Sequence, residues 1–63
     1  MNQKELKEKL KSRIKDLKDW NKENLERARS TKNPDVINYL WDLIRTRNAR
    51  ISELELVLSL MDE

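Results

Sequence analysis

The stretch Ser30-Thr31-Lys32-Asn33-Pro34-Asp35 is the one break in a chain of 63 residues that has no glycine and a single proline. Proline is tolerated at the first position of a helix, where the amide hydrogen it lacks has no partner anyway. Inside a helix it removes a bond and clashes with the preceding turn. Asn33 can cap a helix that begins at Pro34, and Asp35 complements that helix's positive end. The break therefore reads as a stop and a restart, not as a kink in one continuous helix. It predicts an all-α chain with helix 1 over about 3–31, a loop at about 31–33 and helix 2 over about 34–61, in one hairpin domain covering 1–63. So short a connection makes the two helices antiparallel neighbours.

Periodicity supports both helices. Asn2 is placed to cap the first, with Glu5 completing a capping-box pattern. Leu6, Leu10, Ile14, Leu17, Trp20, Leu25 and Ala28 fall within one arc of ~140°. On the second helix the main face is Val36, Leu40, Leu43, Ile44, Arg47, Ile51, Leu54, Leu58 and Met61. Asn21 and Asn24 lie within the first arc and Arg47 within the second. They are expected to form a buried polar layer that sets register at some expense of stability. Arg47 has a second option, to extend its head outward over its own aliphatic stem.

The second helix has more hydrocarbon than one neighbour can cover. Trp41, Ala49, Leu56 and Leu60 form another stripe, with Arg45, Asn48 and Ser52 between them. The tail Leu54-Glu55-Leu56-Val57-Leu58-Ser59-Leu60-Met61 is apolar on nearly all sides, the pattern of a helix buried more than once. A small core without disulfide or metal is also marginal alone, and this chain has neither Cys nor His. We therefore expect a homodimer in which the second helices pack antiparallel about a two-fold axis near Asn48 and Ala49. Trp41, Arg45, Asn48, Ala49, Ser52, Leu56 and Leu60 would form the interface of a four-helix bundle.

Charge is unevenly divided. Residues 1–32 carry eleven Lys/Arg against six Asp/Glu, a net of +5, and residues 33–63 carry three against six, a net of −3, which together give the formal +2. Lys4, Lys7, Lys11, Lys15, Lys18, Lys22 and Arg29 line one flank of helix 1 at spacings of mostly three and four. Such a stripe is a solvated face, a dock for an acidic protein surface, or a track for the phosphates of a nucleic acid. Membrane binding fits less well, since acidic residues share the helix.

Catalysis is not expected. The usual proton shuttle and the strongest nucleophile are missing, no glycine-rich phosphate cradle exists, and no serine has a base at a usable spacing. No cofactor, metal or small-molecule substrate is implied. The start of the chain carries no apolar signal segment, and no apolar run approaches the ~18 residues of a membrane span. A cytoplasmic protein is expected.

The tail Arg47-Asn48-Ala49-Arg50-Ile51-Ser52-Glu53-Leu54-Glu55-Leu56-Val57-Leu58 resembles small helical-hairpin accessory proteins of Gram-positive bacteriophages, in which a polar turn with an Arg leads into an alternating Leu/Glu helix end. The Lys-, Asn- and Ile-rich usage is similar to theirs as well. That resemblance implies a protein that binds and modulates a host protein as an inhibitor or adaptor. In length and topology the layout also resembles Rop-type RNA-binding hairpin dimers, with no residue motif of that family matched. A structural subunit of a larger assembly is a third reading.

Overall fold

A computed structural model of the chain describes residues 2–61; Met1, Asp62 and Glu63, the last two counted above among the carboxylates of the second half, lie outside them. The described residues form two α-helices, α1 (Gln3–Ser30) and α2 (Pro34–Met61), packed side by side as an antiparallel hairpin measuring 47 × 15 × 14 Å. No described helix is long and apolar enough to cross a membrane.

Local chemistry accounts for each end. The Asn2 side chain accepts a 2.8 Å hydrogen bond from the Glu5 amide and so satisfies one free donor of the first turn. At the other end of α1 the Thr31 amide still donates to the Arg27 carbonyl, and the Ser30 hydroxyl donates to the carbonyls of Glu26 and Arg27. Thr31 itself turns to extended backbone and the helix stops. Asn33 then starts α2: its side-chain oxygen accepts from the Asp35 amide at 3.0 Å, and its carbonyl accepts from the Ile37 amide. Where the chain comes back level with its start, the Gln3 side-chain amide donates to the Met61 carbonyl at 2.9 Å.

The core between the helices is thin. Ile14, Leu17 and Ile51 form its centre toward the open end, with half-buried Leu54 and Leu58 packed against them. Ala28, Leu40 and Ile44 continue it toward the loop. No large side chain among the described residues is fully enclosed, as expected when a helix has one neighbour and not two.

Asn21 and Asn24 hold buried positions in α1 that apolar residues would otherwise fill. The expected polar layer is corrected in its membership. The Asn21 side-chain amide donates to the Asn48 side-chain oxygen at 2.8 Å and, more weakly, toward the Ile44 carbonyl at 3.4 Å. Asn48, assigned above to a dimer interface, therefore belongs to the seam within the hairpin. Arg47 does not join that layer. It is half-buried with its guanidinium over the Trp20 ring, 4.4 Å from the centroid. Leu6, Trp20 and Val36, read above as core-facing, are exposed. Their arcs are centred on Leu17, Asn21 and Ile44, which leaves these three on the flank or beyond the reach of the partner helix.

Candidate interaction surfaces

Two non-local pairs mark the two long faces of the hairpin. Arg47 over Trp20 marks one, and the ion pair Lys18–Glu55, at 3.9 Å, marks the other. Among the described residues, the candidate surfaces lie on these faces and on the back of α2.

On the Lys18–Glu55 side and round to the back of α2 lies the second apolar stripe. Trp41 is 41% exposed, Leu56 62% and Leu60 58%. Ala49 and Ser52, exposed as well, supply a small-residue stretch between Trp41 and Leu56 where another backbone could approach. Arg45 pairs with Asp42 at 2.9 Å beside this stripe, and Arg50 with Glu53 at 3.8 Å between it and the opposite flank of α2, so the apolar patches have charge pairs beside them. That is how protein interfaces are commonly built, with an apolar centre and a polar rim. The sequence-expected group is thus brought together except for Asn48, which turns to Asn21.

The basic stripe lies along the same side of α1. Lys4, Lys11, Lys15, Lys18, Lys22 and Arg29 are exposed and Lys7 is half-buried. Lys15 binds Asp19 one turn on at 3.0 Å, and that hydrogen bond, with the charge of Asp19, holds its pKa above the ordinary lysine value. Lys18 faces Glu55. The middle of the stripe is therefore partly balanced by carboxylates, although solvent screens exposed pairs of this kind and they add little to stability.

Across the hairpin, on the Trp20–Arg47 side, an open furrow follows the seam. Trp20, Glu23, Asn24 and Arg27 of α1 line it together with Tyr39, Leu40, Leu43 and Arg47 of α2. It continues toward the loop past Arg27, Thr31, Val36 and Tyr39. Trp20 is 50% exposed and Tyr39 61%. Sequence reasoning missed this surface. Tyr39 was not singled out, and Trp20 was counted with the core-facing arc. The available signal was the run Val36, Tyr39, Leu43, Arg47, Arg50, Leu54, Val57, Met61, which keeps spacings of three and four along one flank of α2.

No three carboxylates converge at a point among the described residues. The fold defines the chain as a two-helix hairpin protein. No family model, no curated protein and no solved structure matches it.

Proposed function

We propose that this is a non-enzymatic interaction protein, a homodimeric helical hairpin that binds and modulates a bacterial host protein in the cytoplasm in the manner of a phage inhibitor or adaptor. The observation that carries the dimer is the exposure of Trp41, Leu56 and Leu60 together on α2. Magnitude supports it. A compact monomer of 7.6 kDa has about 4300 Å² of accessible surface. This chain has 5114 Å². The excess of roughly 800 Å² equals one side of a standard protein interface. A two-fold axis near Ala49 would set Trp41 of one copy against Leu56 of the other and bring the small residues Ala49 and Ser52 to the centre, completing a four-helix bundle.

Leu56→Asp with Leu60→Asp tests this face. Both side chains are exposed in a single hairpin, so a monomer would tolerate the pair with little loss. In the dimer the two aspartates meet apolar partners, and the melting temperature should fall by at least about 5 °C, with the mass dropping to that of one chain. An unchanged melting curve and mass would remove the interface from this face.

A second reading rests on the length of the basic stripe: a nucleic-acid-binding hairpin that follows phosphates by charge and shape. The carboxylates at Asp19 and Glu55 weigh against it, because they sit where the stripe should be most positive.

A further inference from the structure

We propose that the furrow bounded by Trp20, Arg27, Tyr39 and Arg47 is the docking site for a segment of a different protein that carries a carboxylate beside bulky apolar side chains. The inference rests on reading the chain as an interaction protein, and it does not depend on the dimer through α2.

The furrow combines Trp, Tyr and Arg, the residue types that dominate binding energy at protein interfaces. Trp20 and Tyr39 present large rings to solvent above a floor that contains buried Leu40 and half-buried Leu43. Their exposure is not forced by the fold, because the core is formed without them. Arg27 and Arg47 come from opposite helices and have one carboxylate, Glu23, as company in the furrow. Asp16 and Asp19 lie beyond Trp20, toward the far end of α1. Arg47 is already held by the Trp20 ring. A guanidinium fixed in this way loses little freedom when its remaining donors take a carboxylate in a two-pronged bond.

The same charges decide against a second copy as occupant. Pairing α2 with α2 along the furrow flank about a two-fold axis would bring Arg47 of each chain near Arg50 of the other, and of the two only Arg50 has a carboxylate partner, Glu53. Like charges placed together across an interface oppose association. A segment from another protein whose carboxylate sits between Arg27 and Arg47 avoids that clash, provided its other acidic residues stay clear of Glu23, Asp16, Asp19 and Glu26 along α1.

The test uses the full chain labelled with 5-fluorotryptophan, whose two fluorine resonances are assigned with Trp20→Phe and Trp41→Phe. Random peptides about sixteen residues long, some four helical turns, are selected on the unlabelled protein, and the strongest are synthesised. The proposal expects the selected peptides to be acidic and rich in Leu, Phe or Trp, and to move the Trp20 resonance while leaving that of Trp41 in place. Arg27→Gln at an exposed position and Arg47→Gln at a half-buried one, both checked for an unchanged helical circular dichroism spectrum, should each weaken binding about thirtyfold or more, the level of an interface hot spot. It is overturned if selection yields no peptide, if the peptides are not acidic, or if they move Trp41 alone. It is equally overturned if oligothymidylate moves the Trp20 resonance in the same concentration range, or if that resonance shifts on raising the protein concentration alone. Sedimentation of the same samples separates the two ideas. A monomer that takes the peptide at Trp20 removes the dimer and keeps the furrow, and a dimer that takes none removes the furrow alone.

Discussion

At Asn21 the hairpin buries a polar side chain between its helices, and only half of it is satisfied. The amide nitrogen reaches Asn48 and the Ile44 carbonyl, while Oδ1 is buried with no hydrogen-bond partner among the described residues. An acceptor left in that state costs about 1–3 kcal/mol. Asn21→Leu removes it and adds apolar burial, and Asn48, being exposed, can return to water. The variant should melt about 5 °C higher, by calorimetry or circular dichroism, and it should also lose some uniqueness of register, seen as mixed masses in sedimentation. A lower melting temperature would mean that Asn21 contributes more than it costs. Asn33 is the opposite case, a polar residue at the surface with a defined purpose. Its oxygen takes the Asp35 amide that the first turn of α2 leaves free, so Asn33→Ala should cost about 1 kcal/mol in denaturant unfolding without change of fold. At Trp20 the ring and the Arg47 guanidinium hold each other across the seam, an arrangement worth about 0.5–1 kcal/mol at an exposed site.

Each helix presents a different surplus: α1 has positive charge that is only partly balanced by carboxylates, and α2 has hydrocarbon that α1 does not cover. The stripe from Lys4 to Arg29 is tested by charge reversal at Lys11 and Lys15. If it follows phosphates, retention on RNA or DNA at low salt should vanish in the double variant and fall steeply with salt in the parent chain. If the parent is not retained at low salt, the stripe is a solvated face. How much of this was legible follows from how local the signals are. The two helices, the stop at Ser30 and the restart at Pro34 were readable within a residue or so, because caps and proline act on their own neighbours. The outward stripe on α2 was readable too, as a second period on one helix. What periodicity could not supply is which flank of one helix meets which flank of the other. Arg47 with Trp20 and Asn21 with Asn48 are separated by 27 residues each, and they depend on rotation and register that a single-helix projection does not contain. For that reason Asn48 was assigned outward, Arg47 was left without its ring, and the furrow through Tyr39 went unnoticed.

As a whole molecule the hairpin is a rod 47 Å long and about 15 Å across, too narrow to enclose its own core. Its surface exceeds that of a compact chain of its mass by roughly one standard interface. Apolar residues remain in water on both the back of α2 and the furrow side, and the two surfaces differ in character. Trp41, Leu56 and Leu60 flank small residues and suit a second copy, whereas Trp20 and Tyr39 stand beside arginines and suit something acidic. A bundle made through the first leaves the second open twice, once on each copy, so the dimer could hold two target segments. Sedimentation equilibrium of the full chain at micromolar concentration decides whether two hairpins pair. The account predicts a mass of twice the 7.6 kDa of one chain, with helical content lost on dilution as the copies separate. A folded single chain, stable at that concentration with Trp41, Leu56 and Leu60 in water, would contradict it.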